Sequence, residues 1–273
     1  MSHGDEIITL RALCAKAVDA GTTLDAFERI ESVEPHGRPA IWARGRRTSA
    51  ARPVTYYFRL LELPEMPEPI CYGIPIDIPL FESAATLADV GTGGSSKVWV
   101  RIYRGPTEAY GFEKSLLEIA PSKEAQATTR LELGRVLGSQ CHGFPIHLEG
   151  FLETGDVLIT PYLADGMPDG GVTALAMIGL RNGKASVLYQ TIVGEHLIRR
   201  DDDLVQGEVA PGHVRVASRG SKPILDVLAW EPDESPATLI SSRLRWNGDR
   251  FETMSSVPST VSPRNTTARN CNE

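Results

Sequence analysis

The 273-residue chain carries 28 Lys and Arg against 35 Asp and Glu, a net charge of −7. That acidic balance excludes a duplex-DNA surface, which needs clustered cations to displace counterions. With 41% hydrophobic residues, the composition is that of a globular protein able to bury a core.

The opening "MSHGDEIITLRALC" lacks a cationic stretch followed by an apolar one, so no secretory signal is read there. No apolar run reaches the roughly 18–20 residues that cross a bilayer, so no membrane contact is expected. Cys14, Cys71, Cys141 and Cys271 are scattered without a CxxC pair. They read as reduced thiols of a cytoplasmic protein.

In chain order, residues 5–32 show an interrupted apolar stripe that predicts a helix. Residues 40–43 and 53–63 read as strands, with the basic "RGRRTSAAR" (Arg44, Arg46, Arg47, Arg52) as an exposed turn between them. "PEMPEPICYGIPIDIP" holds five prolines in 16 residues and reads as an extended linker. Two strands, 97–104 and 108–119, follow a Gly-rich loop. "SKEAQATTRLELGRVLG" then predicts a helix, 145–152 and 156–163 two more strands, and Val172 to Arg199 a helical region broken near "RNGK". Around 204–230 a strand pair is read, and the Ser/Thr-rich end reads as a disordered tail. The division expected is an N-terminal helix and strands (1–63), a linker (64–83), a domain at 84–255 with lobes at about 84–165 and 166–255, and a tail (256–273). Its fold class is α+β.

Chemistry enters at "DVGTGGSSKVWV". Gly91, Gly93 and Gly94 let backbone N–H groups approach an anion. Lys114 follows 23 residues after Gly91, and Glu124 and Glu132 lie on the predicted helix, where either carboxylate would hold that cation. "VLITPYLADG" runs from strand to turn and would offer the Pro161 carbonyl and the Leu163 backbone to a planar heterocycle. "GEVAPGHVRV" and "ILDVLA" complete the series with Glu208, His213 and Asp226.

This order of G-x-G-x-x-S-x-V, Lys, Glu, "LITPYL", "GEVAPGHVRV" and "ILDVLA" resembles the protein kinases, over roughly residues 84–230. It is most similar to divergent fungal-type kinases. The resemblance implies a small sheet lobe with one helix and a shortened helical lobe. It implies ATP held at Gly91, Gly93, Lys114, Pro161 and Leu163, with Glu132 (or Glu124) pairing the lysine. Glu208 matches the catalytic Asp, and His213 and Asp226 match the Mg²⁺ ligands. His213 is five residues and Asp226 eighteen residues beyond Glu208, in keeping with that pattern.

The departures point to weak or absent phosphotransfer. Glu208 is one methylene too long for a step that depends on positioning, and imidazole is a poor ligand for Mg²⁺. Only 47 residues follow Asp226, too few for a full helical lobe. Three readings follow: a nucleotide-binding kinase acting on protein Ser/Thr, a pseudokinase with a protein partner, and a non-enzymatic α+β interaction module.

Overall fold

The computed structural model describes residues 10–16, 24, 26–33, 39–48, 53–61, 70–75, 79–107, 113–136, 146–167, 170–197, 212–231 and 238–259. Among these the chain is almost entirely β, with one helical stretch at 10–16. The α+β kinase-like fold and its helical lobe are therefore overturned, and the α+β interaction module falls with them.

Four strands come first: β1 (Ala26–Val33), β2 (Pro39–Thr48), β3 (Pro53–Leu61) and β4 (Ile70–Pro75). They form an antiparallel meander. The basic segment expected as a turn is largely strand β2. Strand β4 lies inside the proline-rich stretch, its Pro75 at the strand end where no ladder donor is required.

A second meander follows, β5 (Phe81–Asp89), β6 (Gly94–Thr107), β7 (Glu113–Ala120) and β8 (Thr129–Val136). Then come the short β9 (His147–Gly150), β10 (Asp156–Met167), β11 (Gly170–Arg181) and β12 (Lys184–Leu197). Strand β10 pairs with both β8 and β11, and β11 returns to β5 at Leu180↔Asp89. Six strands, β5–β6–β7–β8–β10–β11, thus close a barrel. Closure removes the edges that an open sheet would leave unpaired.

Alternation explains the barrel. Val100, Ile102, Leu117, Ile119, Leu131, Leu133, Leu158, Ala176 and Ile178 point inward and form the main core. The intervening residues of β10 and β11 (Val157, Ile159, Leu175, Met177) point outward yet are also buried. They pack under a second sheet made of β13 (His213–Ser218), β14 (Ile224–Glu231), β15 (Thr238–Trp246) and β16 (Phe251–Pro258). Val214, Val216, Leu225, Val227 and Leu244 supply its inner face. An aromatic group closes one end of this interface, with Trp246 4.9 Å from Phe251 and 5.8 Å from Phe151 by ring centroids. Residues buried on both faces lose the period-two signal, which is why 172–199 read as helix.

The β1–β4 sheet has two covered faces of its own. Trp42 and Tyr57 turn towards Leu116 on the outside of β7. Ala43, Phe58 and Cys71 turn the other way, against Leu10, Leu13 and Cys14 of the helical stretch. Cys14 and Cys71 are joined by a disulfide, which corrects the expectation of reduced thiols at these two positions. Cys141 and Cys271 lie outside the described residues.

Candidate functional site

The Gly-rich loop is the turn of the β5–β6 hairpin, and the Gly91 and Gly94 amides already have acceptors. The Gly91 N–H donates to Asp89 Oδ1 at 3.0 Å. The same carboxylate accepts the N–H groups of Asn182 (2.8 Å) and Gly183 (2.7 Å). An anion does sit in this nest of amides, and it is the chain's own Asp89, buried at 4% exposure. Gly91 is required by packing, since a Cβ there would lie 2.3 Å from Asn182 Oδ1. Gly93 is required by its backbone, at φ +70°.

The other kinase-derived positions do not assemble around it. Glu132 is on strand β8 and Glu124 in an exposed turn, so neither lies on a helix. Lys114 and Glu132 do share the outer side of β7 and β8, one diagonal step apart, since Lys114 faces Gly134 and Leu116 faces Glu132. Pro161 and Leu163 lie within the sheet rather than at an edge. Pro161 pairs with Leu175, and Leu163 pairs with Thr173 and Arg135. His213 opens β13, exposed and opposite Leu228.

Asp226 sits mid-strand in β14, on the face turned away from Leu225 and Val227 and hence from the barrel. Its carboxylate takes both Nε (2.7 Å) and Nη2 (3.2 Å) of Arg243. Those hydrogen bonds hold its pKa below the usual carboxylate range. Lys114 and Asp226 thus belong to different sheets and face different surroundings. Glu208 lies outside the described residues. Among the described residues no group of His, Cys, Asp and Glu is arranged to hold a metal.

Two features were not anticipated. The first is a charged row on the outside of the barrel, set by register: Glu82↔Arg101, Arg101↔Glu118 and Glu118↔Arg130. Glu82 meets Arg101 Nε at 3.2 Å and Glu118 meets Arg130 Nε at 2.9 Å. Glu118 also accepts the Tyr57 hydroxyl, and Glu132, one row on, accepts Trp42 Nε1 at 2.6 Å. Burial, then the Glu118 charge, pushes the Tyr57 phenol far up and that of Tyr103 up to about 12. Glu118 and Glu132 are 4% and 2% exposed, so the cluster is a closed joint between β1–β4 and the barrel. A shallow pocket of about 300 Å³ opens on β1–β3, lined by residues including Glu28, Arg44 and Arg46. There Arg44 is paired with Glu28 at 2.5 Å.

The second feature is the outer edge of β16. Among the described residues this strand ends its sheet and pairs only with β15. From Glu252 to Val257 every residue is exposed, on both faces. Met254 (46%) and Val257 (57%) are the large hydrophobic residues left exposed among the described residues. No charge falls between Thr253 and Ser259.

No family model, curated protein or solved structure matches this chain. "RNGK" was the signal available for the Asp89 nest. Asn182 (φ 53°) and Gly183 (φ 76°) form a two-residue hairpin turn with both residues left-handed, and Asn-Gly is the strongest short hairpin signature.

Proposed function

We propose that the protein acts by binding an extended segment of a protein partner along the open edge of β16. The observation that carries this reading is an edge strand exposed on both faces from Glu252 onward, uncharged from Thr253 to its end and bearing Met254 and Val257. Sheet edges are ordinarily blunted by charge, early termination or a covering element, because their unpaired N–H and C=O groups template another strand. Strand addition draws affinity from those main-chain groups and selectivity from alternate side chains. The segment that fits is uncharged at its centre, with apolar residues towards Met254 and Val257.

No helix among the described residues is long and apolar enough to cross a membrane. The Cys14–Cys71 disulfide supports an oxidising compartment over the cytoplasm, where such bonds are rare.

Selection of random peptides displayed on phage against the full chain tests the reading. Enriched synthetic peptides are expected to protect the amides of 252–257 from hydrogen exchange. They are expected to lose binding to a Ser255→Pro variant. Enriched peptides that protect another surface, or that bind the variant equally, would overturn it.

A further inference from the structure

We infer that the cover over the outer face of β1–β4 is conditional on the oxidised Cys14–Cys71 bond, so that the chain carries a redox-dependent apolar surface. The cover is the helical stretch at 10–16. Its inward positions Leu10, Leu13, Cys14 and Ala15 pack on Leu24, Ala43 and Phe58, while Arg11, Ala12 and Lys16 are exposed. One face is thus apolar at helical spacing and the other polar, as a docked helix requires.

The described turns of helix rest on the sheet through Leu10, Leu13, Cys14 and Ala15, and Leu10 and Leu13 are only partly buried there. The covalent bond to Cys71, 57 residues away on β4, is what keeps the stretch against the sheet. Reduction by a dithiol transfers two electrons and two protons to the cystine, leaving two thiols and a cyclic disulfide. The helix is then held only by the chain leading to β1 and by its apolar contacts, and its release uncovers Phe27, Tyr56 and Phe58. The opposite face of β1–β4 keeps its own attachment through Trp42–Glu132 and Tyr57–Glu118, so the sheet stays on the barrel.

The test uses the purified full chain, oxidised or treated with dithiothreitol, beside a Cys14→Ser, Cys71→Ser double variant. A disulfide-linked peptide pair is first sought by mass spectrometry. Trypsin then reads the helix at Arg11 and Lys16, a hydrophobic dye reads the uncovered face, and near-ultraviolet circular dichroism reads the barrel. Expected is a rise of about tenfold or more in cleavage at Arg11 and Lys16, because proteolysis tracks the open population. Increased dye binding should accompany it, with the tryptophan bands of the dichroism spectrum retained, in the reduced chain and the variant alike. Equal cleavage and dye binding in all three samples, absence of the linked peptides, or loss of the aromatic spectrum with the bond would each overturn the inference.

Discussion

The Asn182 N–H donates to the Asp89 carboxylate at 2.8 Å across a separation of 93 residues, and this contact seals the barrel where β11 meets β5. Three backbone donors converge on the one buried side chain, from two hairpin turns. Asp89→Ala removes the acceptor of all three and should cost about 2–3 kcal/mol, the scale of a hydrogen bond to a charged group, because Gly91, Asn182 and Gly183 are exposed and can turn to water. Urea denaturation should show the midpoint falling with little change in slope. Asp89→Asn keeps one acceptor oxygen and should lose less.

Two glycines of this region separate steric demand from conformational demand. A Cβ on Gly155 would lie 2.7 Å from the Ala88 Cα and 2.8 Å from its nitrogen, so Gly155→Ala has to move backbone. The expected cost is about 1–3 kcal/mol, the range for overpacking a filled core. Gly93 has open space around it but φ +70°, so Gly93→Ala should cost about 1 kcal/mol from backbone strain alone. Equal melting temperatures for the two variants would contradict this assignment.

Trp42 and Tyr57 should behave as fasteners of the β1–β4 sheet. Trp42→Phe keeps the ring but removes the indole donor from the buried Glu132, and Tyr57→Phe removes the hydroxyl from Glu118. Each should destabilise by about 2 kcal/mol, the scale of a hydrogen bond to a charged group. In Tyr57→Phe the Arg130 guanidinium still serves Glu118. Hydrogen exchange should show faster opening in β1–β4 with the barrel amides unchanged.

Stability should fall in alkali. Tyr103 and Tyr162 are each pushed up to about 12, and Tyr57 and Tyr189 are also raised, in every case by burial first. A phenol whose folded pKa exceeds the unfolded value of about 10 keeps its proton in the folded state after the unfolded chain has lost it. The unfolded state therefore binds fewer protons above that pH, and the unfolding free energy declines with rising pH. The contribution is whole below about pH 10 and is lost as pH climbs through 12. Tyrosinate absorbance should show an early group and a late one whose ionisation coincides with loss of the fold.

Much of the strand content was legible and the architecture was not. Residues 97–104 and 156–163 are rich in branched and aromatic side chains, and they are strands. "SKEAQATTRLELGRV" is rich in helix formers, yet its Arg130-Leu131-Glu132-Leu133 alternates with period two and forms β8. The charged positions of that alternation are buried, which hides the pattern, and what neutralises them arrives from distant residues such as Tyr57 and Trp42. Local propensity cannot report partners supplied by another layer. The kinase-like spacing has a similar origin, because a succession of hairpins puts glycine turns, lysines and acidic residues at regular intervals without gathering them. Asp89 was passed over because nothing local distinguishes it from any aspartate before a turn.

Among the described residues β1 has a parallel neighbour in β8, at Val33↔Leu131. During synthesis β1–β4 emerges well before the surface it rests on, and Leu116, Glu118 and Glu132 arrive only afterwards. A sheet made before its support is therefore among the last parts to settle, and until then Trp42 and Tyr57 face water from an incomplete sheet. Chains that must wait for such distant contacts fold slowly and are exposed to aggregation meanwhile. Recovery of this protein from a cell should accordingly improve when translation is slowed by cooling.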